Sequence, residues 1–210
     1  MFLDQLFTHP AVAMAFAAAI LLALTVHEFA HALVASWFGD DTAEREGRLT
    51  LNPLPHLDPF GTLMLLLVGF GWGKPVPIDP RNFKNPKRDS AWVAIAGPLS
   101  NLLFGLFAVM LYRILGAGGV AGDSLVYGFL FYLVNINAVL MLFNLIPLPP
   151  LDGSKILFAC LPEKYREWEW QLERTGPMIL LFLVIIDSFT PISIFGTLFG
   201  GILNTINRLL

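Results

Sequence analysis

Residues 10–38 read PAVAMAFAAAILLALTVHEFAHALVASWF, a stretch that is apolar along most of its length but includes His27, Glu28 and His31. Its first seventeen residues carry no charge. A helix rises about 1.5 Å per residue, so about 20 apolar residues cross a hydrocarbon layer about 30 Å thick. Residues 1–9 contain no Lys or Arg, unlike the start of a signal peptide. The stretch therefore predicts a retained membrane-spanning helix with ionisable side chains inside the bilayer.

The composition of the whole chain also indicates a membrane protein. Hydrophobic residues make up 56% of the 210 residues and charged residues 14%, against roughly 45–50% and about 25% in soluble domains. The net charge of −3 excludes the large basic surface that nucleic-acid binding needs. Cys160 is the only cysteine, which excludes an intramolecular disulfide and a multi-cysteine metal site. A metal ion must therefore bind His, Asp or Glu. The apolar composition indicates that the protein is surrounded by the lipid bilayer.

Two further apolar segments, residues 91–112 and 126–146, are long enough to span a membrane. The loop before them, residues 74–90, holds five cations, and cytoplasmic loops are enriched in Lys and Arg. We therefore expect this loop in the cytoplasm and the nearly uncharged turn at residues 116–124 outside. The first helix then enters from outside and carries its histidines in the cytoplasmic half of the membrane. The five cations are Lys74, Arg81, Lys84, Lys87 and Arg88.

Two segments between the first and second spans predict a small β element. Residues 48–51 alternate in the manner of a strand. Residues 60–72 are apolar but too short to span, so we expect a re-entrant loop or a strand hairpin there. Glycines at every second position from Gly69 to Gly73 favour a bent strand over a helix. Residues 63–78 would then offer a sheet edge to which an extended substrate adds as a strand.

The predicted fold class is a membrane all-α protein with this small β element. It comprises a three-helix core, the re-entrant or strand segment, and a C-terminal apolar region. Residues 1–210 are expected to form one domain, with a core at about residues 10–160 and amphipathic and apolar segments at residues 161–210.

The C-terminal region combines an amphipathic part with an apolar part. Tyr165, Trp168 and Trp170 lie among charged residues and predict an amphipathic helix at the membrane surface. Two short apolar pieces follow, broken by Asp187 and Pro191. They either span once with a kink or fold back.

His27, Glu28 and His31 form the pattern His-Glu-x-x-His. On a helix, a spacing of four places both imidazoles on one face, where they can bind one zinc ion. The Glu beside them can take a proton from water, its role in metalloproteases. So short a pattern also arises by chance, but a charged residue in the middle of a membrane helix costs about 3 kcal/mol and marks a functional site. The pattern therefore predicts a metal site.

A catalytic zinc ion usually has three protein ligands and one open position, so a third ligand must come from elsewhere. The residues alone leave four candidates, His9 on the outer side, His56, Asp58 and Asp152. Asp152 follows prolines that break the third span, which would deliver a carboxylate at membrane depth. Pro, Asp and Gly are also ordinary in a turn that ends a helix, so the choice stays open at this point.

Three motifs taken together resemble the site-2 protease family of intramembrane zinc proteases. They are His27-Glu28-x-x-His31, Gly97-Pro98-x-x-Asn101, and Asn144-x-x-Pro147 followed by Leu151-Asp152-Gly153. Their order and spacing match a three-helix catalytic core, and the resemblance covers about residues 15–160. It implies one Zn2+ ion per chain bound by His27, His31 and Asp152, with Glu28 as the catalytic base. The chain resembles a compact form of the family, without the PDZ-like insertion or CBS-like pair that many relatives carry.

Asn144 lies seven residues after Asn137, so both project from one face of the third span. The resemblance supports Asn144 as a catalytic residue that donates to a developing oxyanion, and the alternative is an asparagine that bonds another helix. Asn101 is expected to be structural. Gly97 and Pro98 would permit close helix packing, and Asn101 could satisfy backbone groups that the proline frees.

His56 and Asp58 precede the short apolar segment and suggest either a metal or proton-relay pair or a structural role. We favour the structural role, in which the aspartate shapes a turn before a proline and a neutral histidine bonds backbone. Cys160 is expected to be a packing residue.

The predicted function is a zinc metalloendopeptidase that hydrolyses peptide bonds in or near transmembrane segments of membrane-protein substrates. We expect it in the cell (inner) membrane, with the active site open to the cytoplasm. The alternative is a membrane metal carrier, or an inactive homologue that binds helices without cutting them. A carrier needs no base beside its ligands, and an inactive homologue is expected to lack one of the four residues, so Glu28 and the complete set favour the enzyme.

Overall fold

The structure is a computed structural model that describes residues 8–68, 71–122, 124–190 and 193–210. Within these ranges the regular elements are helices. The α-helices are α1 (Pro10–Trp37), α2 (Thr42–Arg45), α3 (Pro59–Val68), α4 (Pro86–Ala117), α5 (Leu125–Asn144), α6 (Asp152–Cys160), α7 (Arg166–Phe189) and α8 (Ile194–Leu209). Short 3-10 turns lie at Leu54–His56, Pro80–Asn82 and Glu163–Tyr165.

Helices α1, α4 and α5 are long and apolar enough to cross a membrane, and no other helix in the described ranges meets both conditions. They contain 28, 32 and 20 residues. At about 1.5 Å per residue, even the shortest reaches about 30 Å. The three predicted spans are therefore found as helices, and α4 extends beyond the predicted residues 91–112 at both ends.

Helices α1, α4 and α5 pack against one another as a three-helix bundle. The buried side of α1 consists mostly of alanines, and small side chains let helix backbones approach closely where lipid surrounds the bundle. Leu130, Leu133 and Val134 of α5 form a second contact, packing on Ala19 and Ala108. The buried alanines of α1 are Ala13, Ala15, Ala19, Ala23, Ala32 and Ala35.

Helix α1 ends where the chain turns back toward the bundle. Gly39 has φ +99°, a conformation that side chains with a Cβ rarely adopt. The Asp40 carboxylate then accepts hydrogen bonds from Asp79 N and Asn82 Nδ2, each at 2.8 Å. Burial raises the pKa of the Asp40 carboxyl, but these bonds and those from Thr42 outweigh it and hold the pKa below its ordinary value. Asp40 thus ties the end of α1 to the loop that leads into α4.

The predicted β element is wrong. Residues 49–51 form bends, and residue 48 lies in no regular element, so no strand forms at residues 48–51. Across the part of the chain that the structure describes, strand-like pairing is limited to one isolated antiparallel bridge between Leu57 and Gly73. The described residues between 63 and 78 therefore form no sheet edge, and substrate binding by strand addition loses its basis.

Prolines explain why no ladder forms beside residues 48–51. Pro75 and Pro77 in the neighbouring segment lack the N–H groups that a ladder needs. The side chain of Arg48 supplies the contact instead. Its Nη2 donates to Lys74 O at 2.6 Å and its Nη1 donates to Pro75 O at 3.1 Å. The two hydrogen bonds from the Arg48 side chain therefore join these segments, as backbone hydrogen bonds join neighbouring strands in a sheet.

The segment predicted as a re-entrant loop or strand hairpin begins with helix α3. Asp58 caps this helix, because its Oδ1 accepts a hydrogen bond from Gly61 N at 2.7 Å. Ten helical residues reach about 15 Å, half of a bilayer core. The chain then returns across the start of α3, where a side chain at Gly61 or Gly71 would collide with backbone. These glycines serve a close crossing of two segments rather than a bent strand, and Gly69 lies outside the described residues.

Helix α7 is continuous, so the predicted surface helix and the first apolar piece form one element. Its second half packs on the segment that leads to Asp152, through Leu180 and Val184 against Leu151. The C-terminal region therefore packs against the segment that leads into α6.

Asp187, predicted to break the apolar region, accepts a hydrogen bond from Phe195 N at 3.0 Å. It thereby links α7 to α8, and Pro191 lies outside the described residues. Tyr165, Trp168 and Trp170 are exposed, and their placement at a membrane surface stays a prediction.

Candidate metal centre

His27 and His31 lie one helical turn apart on the inner side of α1, where both side chains are buried. The spacing of four brings the two imidazoles to the same face. Their Nε2 atoms are 3.0 Å apart, and the rings stand nearly perpendicular at 87°. The two nitrogens therefore point to a common position.

Asp152, the first residue of α6, reaches the same position. Its Oδ2 lies 3.2 Å from the Nε2 of His27 and 3.2 Å from the Nε2 of His31. Among the described residues, these three form the only group of His, Cys, Asp or Glu side chains whose ligand atoms all lie within 4.8 Å of one another. Gly153 permits the tight turn at this point, since a Cβ there would lie 2.6 Å from Ile146 O.

The other three candidates for a third ligand lie elsewhere. His9 precedes α1, about 27 Å along the helix axis from His27. His56 is fully buried, with its Nε2 2.8 Å from Thr50 O. The Asp58 carboxylate caps α3. His56 and Asp58 therefore have the backbone-bonding roles that the sequence favours for them.

Each histidine has its second ring nitrogen bonded to helix α4. His31 Nδ1 lies 2.7 Å from Val93 O, and His27 Nδ1 lies 2.6 Å from Asn101 Oδ1. A carbonyl oxygen only accepts, so Nδ1 carries the hydrogen in both bonds. Since a neutral imidazole has a single N–H, both Nε2 atoms present lone pairs toward Asp152.

Three hydrogen-bond acceptors therefore converge at 3.0–3.2 Å. The Oδ2 atom of Asp152 is buried and has no hydrogen-bond partner in the described ranges. Two lone pairs and a carboxylate repel one another at this distance, whereas a cation between them would be bound by all three. Zinc ligands at about 2.0–2.1 Å and tetrahedral angles lie about 3.3 Å apart. The donor set and its spacing fit a zinc ion.

Helix α4 touches the two imidazole rings directly at Gly97. A Cβ at this position would lie 2.6 Å from the Cε1 of His27 and 2.6 Å from the Cε1 of His31, and closer still to His31 Nε2. Non-bonded carbon atoms prefer separations of about 3.5–4.0 Å. The glycine is therefore needed at the metal centre itself, beyond the general helix packing predicted for it.

Glu28 lies beside the histidines with its side chain buried. Its Oε2 accepts a hydrogen bond from Val76 N at 3.1 Å, whereas Oε1 has no hydrogen-bond partner among the described residues.

Arg48 supports the segment that contacts Glu28. Its side chain donates hydrogen bonds to the carbonyls of Lys74 and Pro75, the two residues before Val76. Arg48, which is 3% exposed, is absent from the site residues predicted by sequence. It is the one charged residue in residues 47–57, the signal that could have indicated it.

Asn144 lies at the C-terminal end of α5. Its Nδ2 donates to Leu140 O at 3.0 Å, a bond within its own helix. No hydrogen bond in the described part of the chain joins its side chain to the two histidines or to Asp152. Its predicted role as an oxyanion donor stays a proposal.

Asn101 and Asn137 are both fully buried between the helices. Asn101 was expected to satisfy backbone groups that Pro98 frees. It instead forms hydrogen bonds with His27 and with the Ala23 carbonyl of α1. Its Nδ2 also donates to Asn137 Oδ1 at 2.9 Å. Asn137 was not predicted as a site residue, although its spacing from Asn144 placed both on one face.

The fold and these side chains define a membrane protein with a buried His-His-Asp site suited to a catalytic zinc ion. Comparison with known proteins gives the family. Residues 115–186 match the family described as Peptidase family M50. YwhC of Bacillus subtilis, provisionally named a zinc metalloprotease, is 45% identical over 170 residues, which cover 79% of this chain and 78% of YwhC. Rip2 of Mycolicibacterium smegmatis, provisionally named in the same way, is 30% identical over 170 residues, which cover 79% of this chain and 64% of Rip2.

A zinc metalloprotease of Methanocaldococcus jannaschii is 35% identical over 82 residues, which cover 39% of this chain and 23% of that protein. No solved structure matches the chain. The chain belongs to peptidase family M50, the site-2 protease family that its motifs resemble. It is an intramembrane zinc metalloprotease, and its relatives imply zinc as the metal.

Proposed function

We propose that the chain is an endopeptidase that hydrolyses peptide bonds in or near transmembrane segments of membrane-protein substrates. One zinc ion per chain is held by His27, His31 and Asp152. The observation that carries this proposal is the convergence of three hydrogen-bond acceptors at 3.0–3.2 Å inside the helix bundle. Two His and one carboxylate leave a fourth position for water or substrate in catalytic zinc sites.

Glu28 acts as the general base in this proposal. When bound, zinc polarises a carbonyl and makes water more acidic, to a pKa of about 7. The Val76 N–H holds Oε2 of Glu28 in place, so Oε1 takes the proton of the attacking water and then delivers it to the leaving amine nitrogen. The substrate helix must unwind locally, because its carbonyls are otherwise bonded within the helix.

Asp152→Ala tests the third ligand. Removal of this carboxylate should reduce zinc affinity by more than the roughly 10–100-fold typical of residues that only orient a ligand. Zinc affinity is measured by competition with a chelator on the chain purified in detergent. Asp58→Ala and His56→Ala are the matched controls, and both should bind zinc as the wild type does. A larger loss with His56→Ala than with Asp152→Ala would contradict the proposed ligand set.

The cations of residues 74–90 support a cytoplasmic location for that loop, and hence an active site that opens to the cytoplasm of the inner membrane. Trp37 is the last residue of α1 and would lie at the cytoplasmic end of this helix. His31 is about 9 Å from it along the helix axis. The outer end of the bundle is then the turn between α4 and α5.

Cysteine labelling in intact cells tests this orientation in a Cys160→Ser background. Lys84→Cys, at an exposed position, should react with a membrane-impermeant thiol reagent only after the cells are opened. Ala121→Cys, exposed in the turn between α4 and α5, should react in intact cells. The reverse pattern would show that the orientation is inverted.

Asn144 is proposed as an oxyanion donor because its amide lies at the end of α5, eight residues before Asp152. Asn144→Ala should keep zinc and slow turnover by up to roughly 10²–10³-fold, the loss seen when one such donor is removed. Steady-state cleavage and zinc content are measured on the same sample. Asn135→Ala, which removes an equivalent bond to a carbonyl four residues earlier, is the control. Normal turnover, or loss of zinc, would exclude this role for Asn144.

A further inference from the structure

A line of three buried polar side chains crosses the bundle from α5 through α4 to α1. Asn137 and Asn101 are 0% exposed and His27 is 4% exposed. Asn101 Nδ2 donates to Asn137 Oδ1 at 2.9 Å, and His27 Nδ1 donates to Asn101 Oδ1 at 2.6 Å. The line starts at a residue remote from the metal centre and ends at one of the histidines.

Each bond in this line determines the direction of the next. Asn137 Nδ2 donates to Leu133 O at 2.7 Å, which turns the Oδ1 of Asn137 toward Asn101. Asn101 therefore presents its NH2 group to that oxygen and to Ala23 O, and both hydrogens of the group are used. The Asn101 oxygen must then face His27. His27 in turn carries its hydrogen on Nδ1 and keeps Nε2 unprotonated.

The opposite orientation of Asn101 would be incompatible with metal binding by His27. The side-chain oxygen of Asn101 would then face Ala23 O and Asn137 Oδ1, which are themselves acceptors. Its NH2 group would face His27 Nδ1, which would have to accept a hydrogen bond. The single hydrogen of a neutral imidazole would then move to Nε2, which could no longer bind a metal. Asn137 is one of the two acceptors that prevent this reversal.

Helix α5 offers an internal comparison for Asn137. Asn135 and Asn144 also donate to a carbonyl four residues earlier in the helix, at 2.9 Å and 3.0 Å. Of these three asparagines, Asn137 is the one with a hydrogen bond to another helix in the described ranges. A buried amide at mid-span is costly unless it is bonded, so a specific contact rather than general polarity accounts for its position.

We propose that Asn137 is a positioning residue that sets the tautomer of His27 through Asn101, and so makes its Nε2 available to the metal. This rests on the proposed role of His27 as a zinc ligand. Residues that orient a metal ligand typically change metal affinity by roughly 10–100-fold. Since Asn137 acts through Asn101 and shares that task with Ala23 O, its effect lies near the lower end, about tenfold.

The test compares Asn137→Leu with Asn135→Leu in the full chain in detergent. Histidine ring nitrogens are labelled with 15N, and spectra of the metal-free chain in alkaline buffer report which nitrogen of His27 carries the hydrogen. Zinc affinity is measured on the same samples by chelator competition. We expect the wild type and Asn135→Leu to show the Nδ1–H form, and Asn137→Leu to show a mixture of both forms with about tenfold weaker zinc binding.

Two further variants keep the test decisive. Asn137→Asp keeps a side-chain oxygen that can accept from Asn101 Nδ2 whether or not the carboxyl group is ionised, so it should keep the Nδ1–H form. Asn137→Ser keeps only the bond within the helix and replaces Asn137→Leu if the leucine variant does not fold. An unchanged tautomer and unchanged zinc affinity in Asn137→Leu, or in Asn137→Ser where it replaces the leucine variant, would overturn the proposal and leave Asn137 as a helix-packing residue.

The tautomer is read without metal, so failure of the two proposals can be separated. If the wild-type chain binds no zinc, the proposed function fails while the tautomer measurement still tests Asn137. If zinc binds and the tautomer does not respond to Asn137→Leu, this inference alone fails.

Discussion

Glu28→Gln is expected to leave zinc bound while proteolysis falls by roughly 10²–10⁴-fold. Glutamine has nearly the same shape as glutamate and can still accept the hydrogen bond from Val76 N, so α1 and the His-His-Asp group should not move. The amide cannot accept a proton from water, and the negative charge beside the reacting atoms is lost. Both changes raise the barrier to hydrolysis without removing a zinc ligand.

Zinc content and cleavage of a model transmembrane substrate are measured together in detergent, with the exposed Glu46→Gln as the matched control. The Glu28→Gln variant should also retain uncleaved substrate, which co-purification would detect. Release of zinc would mean that Glu28 is itself a ligand. Unchanged cleavage would contradict hydrolysis with Glu28 as the base, and a metal carrier would transport its ion equally well with either residue.

Gly97→Ala is expected to damage the metal centre although it adds a single methyl group. That methyl would lie 2.6 Å from a carbon atom of each imidazole, so the rings or α4 must shift. Overpacking of this kind costs about 1–3 kcal/mol, which corresponds to a loss of zinc affinity of roughly 5–150-fold. Proteolysis should fall further, because reacting groups must also stay aligned.

Gly128→Ala, within the spanning helix α5, is the control for this change. No atom of the described residues lies within 4 Å of a Cβ at this position beyond its own helix, so zinc affinity should be unchanged. Chelator competition measures affinity, and thermal unfolding of the metal-free chain shows whether the helix bundle itself is affected. Wild-type zinc affinity in Gly97→Ala would show that the rings do not depend on close contact with α4.

The short segments show where prediction from sequence failed. Residues 48–51 have the alternation of a strand, but a strand forms only where a second segment can pair with it. The available neighbour contains Pro75 and Pro77, and the Arg48 side chain bonds its carbonyls instead. Gly71 was one of the glycines that suggested a bent strand. In the structure it lies where the chain crosses close to Gly61 of α3, and a Cβ at either glycine would collide with the other segment. In each case a contact with a distant part of the chain overrides the local pattern.

The sequence by itself determined the three membrane-spanning helices and the placement of His27 and His31 on one face of a helix. Both are local consequences of composition and helical periodicity, because lipid favours long apolar helices whatever they contact, and a spacing of four places two side chains on one face in any helix. The family followed from the joint presence of three motifs. None of these conclusions requires knowledge of which segments meet.

The family resemblance implied Asp152 as the partner of the histidine pair, but only the tertiary structure shows which of the four candidates lies beside the two rings and how each imidazole is oriented. His56 and Asp58 are equally able to bind metal by residue type, but backbone contacts engage them elsewhere, whereas the turn before α6 brings Asp152 to 3.2 Å from both rings. The tautomer of His27 depends on Asn101, 74 residues away and on another helix. Such choices arise from packing between distant segments, which local propensity does not encode.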